Sequence, residues 1–404
     1  MTRTALLMVL LTWFLGNMDV HFLAPALPAL TDLFSISAGT AQLTISLFLL
    51  GKAISMMLWG ILSERYGRKP IFIFGLVLYT SSNFLAAFSP SIHIFLMLRF
   101  IQGVAVGATL LMGRAMINDT YNEQRATGCF AWLFTLAGLF ICFLPLAGGL
   151  INDYWNWRIA SMFMAAYGLM LLSCKQVLKE TRTHHAISGN LLRASRSMFH
   201  HPVFIGYLLI SALMMAGESA FNTSASFILI KGAQFSSTQY GLVKTAMAIM
   251  HLLGTACCAL LVRYYQSTQL TGIGVRLFAL SAVLMCLLTN MQNHILWIFI
   301  IPMMLYYFGT GFIVASATAA VVRPFPQQMA IALALTLFCQ FSCSAFFSFI
   351  TSLLSIETAT SYMRLLTIVS FLSLFTWHKL HRHKHALPPI NKVGKTTNAE
   401  KITN

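Results

Sequence analysis

The sequence WGILSERYGRKP, from Trp59 to Pro70, concentrates charge in a chain that carries little of it. Four charged residues fall within six positions here, whereas charged residues make up only 9% of the 404 residues. These four are Glu64, Arg65, Arg68 and Lys69. Long apolar segments lie on both sides, so the stretch is either a solvated turn between membrane helices or a set of charges that bind one another and neighbouring helix ends.

Apolar segments of this kind extend along nearly the whole chain and predict an all-α membrane protein. Hydrophobic residues make up 58% of the sequence, whereas soluble domains contain about 45–50%. Each segment is close to the roughly 20 residues that cross a bilayer as a helix, and none has the short alternating pattern of a membrane β-barrel. We predict twelve transmembrane helices in two six-helix bundles, with spans at 4–30, 39–62, 70–88, 93–117, 127–150, 157–175, 202–229, 238–262, 270–289, 294–321, 327–353 and 360–379.

One long polar segment divides the chain six helices to six. The predicted units are an N-terminal bundle at 1–175, a cytoplasmic linker at 176–201, a C-terminal bundle at 202–380, and a cytoplasmic tail at 381–404 that we expect to be disordered. In carriers built from two such halves, the substrate site lies between the halves near the membrane midplane.

The basic residues predict the orientation of the chain. With the N-terminus inside, 18 of the 26 Lys and Arg residues fall in cytoplasmic segments, and only Arg158 and Lys231 fall on the opposite face. This bias follows the positive-inside rule. It predicts a multi-pass protein of the inner membrane with both termini in the cytoplasm, and it explains the net charge of +16 without a nucleic-acid partner.

No pattern predicts a metal or a cofactor. The eight cysteines lie inside or at the ends of apolar segments, where thiols behave as small hydrophobes. The histidines of HKLHRHKH can bind metal, but a basic cytoplasmic helix end explains them as well. There is no HExxH, P-loop or nucleophile motif, so we expect a protein that is not an enzyme.

The opening stretch resembles the loop signature between the second and third helices of the major facilitator superfamily. That resemblance implies a conformational latch, in which ion pairs join helix ends and bias a rocking motion. The usual acid is Asp, and here it is Glu64. The implied latch residues are Gly60, Glu64, Arg65, Gly67, Arg68 and Lys69, with Asp119 and Arg125 in the later NDTYNEQRA segment.

Further motifs occur in the order typical of this superfamily. RFIQGVAVGA, from Arg99, resembles its fourth-helix motif, and WNWRIASMF resembles the opening of the sixth helix. LPLAGG resembles the fifth-helix motif of antiporters, with Pro145, Gly148 and Gly149 in place and Leu144 where Gly is usual. PALPALTDLF is most similar to the Bcr/CflA group of drug/proton antiporters, which implies proton-coupled efflux.

Two acids, Asp19 and Glu218, lie well inside predicted helices, at comparable depths in the first and seventh. Charges at such positions are costly and are functional candidates by default. Arg99 is the basic partner that we favour, and Lys52, Lys244 and Arg364 are others, although basic side chains also snorkel or pair structurally. The proton-coupling candidates are therefore Asp19, His21, Glu218 and Arg99.

The first helix offers two titratable groups. The Bcr/CflA-like pattern has its acid four residues before Pro25, where this chain has His21, while Asp19 lies six before. On a regular helix the two positions are roughly 200° apart, so only one can point into a shared cavity. We favour Asp19, and His21 stays open because its ordinary pKa near 6.5 suits a carrier.

These observations predict a monomeric, proton-coupled carrier that exports small amphipathic compounds by alternating access, with lipid, protons and a small-molecule substrate as its partners. The main alternative is the same fold dedicated to one cargo, such as a siderophore or metabolite, moved in either direction. A membrane enzyme or receptor is a remote alternative.

Overall fold

The computed structural model describes residues 2–121, 123–182, 196–288, 295–325 and 328–384. Half of the predicted linker, residues 183–195, and most of the predicted tail, residues 385–404, therefore lie outside the described residues. No strand occurs in the part of the chain that is described. The helices are α1 (Arg3–Leu23), α2 (Leu27–Phe34), α3 (Ala38–Tyr66), α4 (Arg68–Ala87), α5 (Ile92–Thr120), α6 (Glu123–Tyr154), α7 (Trp157–Ser173), α8 (Pro202–Ser226), α9 (Ser237–Leu261), α10 (Ser267–Leu288), α11 (Ile301–Val322), α12 (Met329–Leu353) and α13 (Ala359–Lys384).

These helices make up twelve membrane spans, which confirms the predicted fold class. α1 and α2 form one bent span, because Pro25 and Pro28 replace a regular turn with the 3₁₀ segment Ala24–Ala26. Eleven spans are long and apolar enough to cross a membrane within the described residues. α6 is the twelfth, with a described apolar part at Gly138–Tyr154.

Several helices run past the ends predicted for them. α3 continues from the predicted end at 62 to Tyr66, α5 from 117 to Thr120, and α6 from 150 to Tyr154. The predicted spans end where the apolar residues end. Polar residues continue each helix because their backbone bonds are satisfied inside it, so the charged stretch extends the helices beyond the apolar core.

Side-chain caps fix where the helices on one face begin. Ser37, Ser91 and Ser236 accept hydrogen bonds from backbone N–H groups in the first turns of α3, α5 and α9, and Asn156 does so for α7. Such caps satisfy donors that have no partner in the helix. All four lie on the face opposite to Tyr66 and Arg68. We call the face of Tyr66 and Arg68 the linker face, and the face of these four caps the distal face.

The two halves contact each other mainly through α3 against α12 and α6 against α9. Gln42 donates to the carbonyl of Ile356 at 2.7 Å, and the Ser46 hydroxyl lies 2.8 Å from those of Ser348 and Ser352. Each of these contacts lies in the distal half of the molecule.

Charged groups also hold the distal face together. Asp153, at the end of α6, accepts hydrogen bonds from the first backbone N–H groups of α9, those of Ser237 and Thr238, at 2.9 and 2.7 Å. Lys231 pairs with Asp32 at 3.0 Å across the halves. Among the described residues, no hydrogen bond joins the halves on the linker side of Ser46. The structure is therefore closed at its distal face.

Candidate functional site

A buried ion pair joins α1 to α5 in the middle of the first half. Arg99 Nη1 lies 2.7 Å from Asp19 Oδ1, and the two side chains are 1% and 0% exposed. Arg99 also donates to the backbone carbonyls of Asp19 and Thr44, both at 3.2 Å, so one guanidinium ties α1, α3 and α5 together. Because a buried charge is tolerated only when it is paired and hydrogen-bonded, each partner depends on the other.

The two oxygens of the Asp19 carboxylate differ in their contacts. Asp19 Oδ2 is buried and forms no hydrogen bond at normal distance among the described residues, although the Tyr79 hydroxyl interacts with the carboxylate at longer range. The guanidinium of Arg99 reaches Oδ1 and not Oδ2, so Oδ2 is the oxygen of this carboxylate that is open to a proton. The arrangement combines a fixed cation with a free protonation position.

His21 lies on another side of α1 from Asp19. The backbone carbonyl of His21 packs against Gly148 of α6. Its imidazole is within electrostatic range of Lys244 in the second half. Asp19 instead interacts with Arg99 of its own half. Positions 19 and 21 point in different directions, as predicted. Asp19 lies inside the first bundle, and His21 lies at the boundary between the bundles.

Glu218 belongs to a polar cluster in the second half. It is partly exposed and lies within electrostatic range of Lys244 and His251. Lys244 Nζ donates to Asn222 Oδ1 at 2.5 Å and to the Tyr307 hydroxyl at 3.0 Å. In the described ranges, Glu218 forms no direct ion pair. The two halves therefore differ, because the acid of the first half is paired and buried whereas that of the second is not.

The charged stretch quoted at the outset forms a network on the linker face. Arg68 Nη2 lies 2.7 Å from Glu64 Oε1, and Arg68 Nε lies 3.2 Å from Asp119 Oδ2. A third donor of the same guanidinium, Nη1, reaches the Ser63 hydroxyl. These bonds join the end of α3, the start of α4 and the end of α5. Arg125 lies exposed near the start of α6 on the same face.

Glu180 completes this network and was missed by the sequence analysis. Its carboxylate accepts hydrogen bonds from the backbone N–H groups of Arg68, Lys69, Thr181 and Arg182, at 2.9 to 3.1 Å. Burial alone would raise the pKa of the Glu180 carboxyl. These backbone donors outweigh burial and lower the pKa below its ordinary value. The carboxylate is thus ionised at neutral pH, and this contact weakens only when the pH falls through that lowered pKa.

The contact of Glu180 with the start of α4 requires glycine at position 67. The φ of Gly67 is +97°, in the region that side chains disfavour, and an added Cβ would lie against the Glu180 carboxylate. Arg65 contributes its backbone carbonyl, which accepts from Arg182 Nη1 at 3.1 Å. Gly60 lies one turn before Glu64 and faces Leu111 of α5.

The fifth-helix motif lies where α6 contacts both α1 and α9. Pro145 is inside α6. A Cβ at Gly148 would lie 2.8 Å from Phe22 Cα of α1, and one at Gly149 would lie 2.8 Å from the carbonyl carbon of Ser237 in α9. Real Cβ atoms do not approach backbone so closely. Both glycines therefore allow helix backbones to touch, and Gly149 does so across the two halves.

Charge reversal at Arg68 tests the latch. Arg68→Glu places a third acid beside Glu64 and Asp119, so we expect transport to fall about tenfold while membrane insertion is unchanged, on the basis that like charges in direct contact cost about 1–2 kcal/mol. Glu64→Arg should have a smaller effect, because Glu64 is nearly half exposed.

The matched control for the latch is Lys175→Glu. Lys175 is exposed at the end of the N-terminal bundle, on the same face. Initial transport rates, normalised to the amount of inserted protein, make the comparison. If Arg68→Glu and Lys175→Glu have equal rates, the charged stretch is only a solvated turn that obeys the positive-inside rule.

Comparisons with known proteins give the family of the chain and proteins with a similar fold. The sequence profile of the Major Facilitator Superfamily matches residues 6–378. The chain is 25% identical over 352 residues to the multidrug resistance protein MdtL of Shewanella oneidensis, which covers 86% of this chain and 88% of the relative. It is 24% identical over 333 residues to multidrug resistance protein D of Escherichia coli, which covers 80% and 81%. Its fold is similar to that of a D-xylose-proton symporter, with a TM-score of 0.77, 17% identity, and 93% and 97% of the two chains covered.

Twelve membrane spans, a superfamily match over residues 6–378 and a fold shared with a known carrier define a transporter rather than an enzyme. The chain belongs to the Major Facilitator Superfamily. The sequence resemblance to this superfamily is thereby confirmed, and multidrug resistance relatives agree with the resemblance to drug antiporters.

Proposed function

We propose that this transporter exports small amphipathic compounds in exchange for protons, with Asp19 as the group that takes up the proton. The observation that carries the proposal is the Asp19–Arg99 pair, fully buried and with Asp19 Oδ2 not bonded to Arg99. A drug-efflux role is supported by the names of two relatives, which are multidrug resistance proteins.

Protonation of Asp19 would couple to movement through Arg99. A proton on the carboxylate removes the charge that holds the guanidinium, and Arg99 also bonds the carbonyl of Thr44 in α3. The α3 helix makes the distal contacts with the second half, through Gln42 and Ser46. A change at Asp19 can therefore bias the distal closure, because both depend on the position of one helix.

The moving bodies in this proposal are the two bundles, 1–175 and 202–380. The linker face lies in the cytoplasm and both termini are inside, as the distribution of Lys and Arg predicts. The protein acts in the inner membrane as a monomer, since each chain contains both halves of the site.

Everted membrane vesicles test the proposal. In vesicles acidified inside, we expect inward accumulation of amphipathic probes that requires the chain and that stops when a protonophore collapses the pH gradient. The screen covers acidic, neutral and cationic probes of similar size. Transport that is unchanged by the protonophore would rule out proton coupling, and accumulation of a single compound only would favour a dedicated carrier.

A further inference from the structure

Three cations of the membrane-spanning helices have no carboxylate bound to them in the part of the chain that the structure describes. They are Lys52, Arg114 and Lys244. Among the described residues, the intramembrane ion pair is that of Arg99 with Asp19, and none of the three cations joins an ion pair. Cations inside a membrane are expensive and normally pair with an acid, so their number here needs an explanation.

Aromatic rings hold these cations in place. Lys52 Nζ lies 4.0 Å from the ring centroid of Phe341, Arg114 lies 4.5 Å from that of Trp13, and Lys244 lies 4.5 Å from that of Phe221. A ring face attracts a cation but accepts few of its hydrogen bonds. Lys244 also donates to Asn222 and Tyr307, whereas the donors of the Lys52 ammonium stay available for a ligand.

Lys52 is the best placed of the three to meet a ligand. It lies at the middle of α3, and the Phe341 ring beneath it belongs to α12 of the other half. Its ammonium finds no hydrogen-bond acceptor in the part of the chain that the structure describes. Arg114 is within electrostatic range of Lys52, and its buried Nε also lacks a partner there.

The acids nearby do not balance this charge. Asp19 is engaged by Arg99, and Glu218 is the other carboxylate within electrostatic range. Four cations, counting Arg99, thus face two carboxylates, which leaves two positive charges in excess even with His21 and His251 neutral. His21 itself stands where the sequence pattern of drug antiporters has an acid.

We propose that the cargo is an amphipathic compound with an anionic group, and that Lys52 binds this group while Arg114 adds to its attraction. The rings of Phe341 and Trp13 would pack against the apolar part beside the cations that they hold. This rests on the transport function proposed above and names its substrate class. It is compatible with export, because an anion leaving the cytoplasm moves down the inside-negative membrane potential.

Binding of two xanthene dyes to the full chain in lipid nanodiscs tests the charge preference at fixed pH. Fluorescein is the anionic probe and rhodamine 123 is the cationic one. We expect fluorescein to bind the wild type more tightly than rhodamine 123. Lys52→Gln should weaken fluorescein binding about tenfold, equivalent to one lost charge pair of about 1.4 kcal/mol, and should leave rhodamine 123 unchanged or tighter.

Two further variants serve as controls. Lys52→Arg keeps the charge and should retain fluorescein binding. Arg276→Gln removes another intramembrane cation that lies over a ring, that of Trp377, but Arg276 is exposed on the second half, so binding should not change. If Lys52→Gln does not fold, Arg114→Gln makes the same test, with a smaller expected loss of fluorescein binding and no loss of rhodamine 123 binding.

The outcomes separate this inference from the proposed function. Tighter binding of rhodamine 123, or equal losses of both dyes in Lys52→Gln, overturns the anionic cargo, even where proton-driven transport is observed. Fluorescein binding that depends on Lys52 supports the anionic cargo, even where the vesicle assay shows no effect of a protonophore.

Discussion

Replacing Asp19 by asparagine is expected to abolish transport driven by a pH gradient, with a loss of at least about 100-fold, because proton uptake then has no group to act on. Asn cannot titrate, yet it has nearly the same shape. The loss should appear as the absence of any rate increase when the pH gradient is imposed, measured with purified protein in proteoliposomes.

Stability must be separated from coupling in this experiment. Asp19→Asn leaves Arg99 buried without its counter-charge, which costs about 3–5 kcal/mol when a buried pair is broken. The double variant Asp19→Asn with Arg99→Gln removes both charges, so we expect it to recover much of the thermal stability. It should not recover pH-driven transport, and recovery of both would show that the pair is only structural.

His21→Asn is the matched control on the same helix. His21 lies two residues away, at the boundary between the halves, and does not join the Asp19–Arg99 pair. We expect this variant to respond to the pH gradient, with a shifted pH optimum at most. The reverse pattern, loss in His21→Asn and retention in Asp19→Asn, would make His21 the proton-coupling group.

The second large effect is expected at Gly149. A leucine side chain there cannot fit against the backbone of Ser237 and Thr238, so α6 and α9 must separate where the two halves are closed. We expect Gly149→Leu to abolish export or to make the pathway leaky. Gly148→Leu should act similarly through α1, since its Cβ would meet the backbone of His21 and Phe22.

Gly138→Leu is the control on the same helix. Among the described residues, a Cβ at Gly138 meets only the end of the Leu252 side chain, at 3.2 Å, and that flexible group can move aside. Passive dye leak from proteoliposomes and pH-driven transport together score the variants. Wild-type values in both Gly149→Leu and Gly148→Leu would show that close packing of α6 is not needed for closure.

The sequence was sufficient for features that depend on local pattern. The apolar runs gave twelve spans in two halves, and the spacing of Glu64 and Arg68 places them one turn apart, where they form an ion pair at 2.7 Å. Because acids are rare in the membrane spans, the sequence also indicates Asp19 and Arg99 as partners. They are 80 residues apart in the chain, and their side chains are 2.7 Å apart in the structure.

Contacts between distant segments could not be read in the same way. Gln42 and Ile356 are 314 residues apart, and nothing in the sequence around Asp153 shows that it caps the first turn of α9. Glu180 looked like an ordinary loop acid, because its four donors are backbone groups that leave no signature in side-chain type. The sequence predicts that Lys52 and Lys244 pair with carboxylates or snorkel, whereas in the structure both lie over aromatic rings.

The central claim is that protonation of Asp19 shifts the balance between two arrangements of the halves. Spin-label distances test it most directly, on a background without the eight native cysteines. One label pair, at Leu33 and Gln234, reports on the distal face, and another, at Tyr66 and Tyr264, reports on the linker face; all four positions are exposed. On going from pH 8 to pH 5 we expect the two distances to change in opposite directions, and Asp19→Asn to show the acid distribution already at pH 8. Distances that change together, or an Asp19→Asn variant that still responds to pH as the wild type does, would contradict the account.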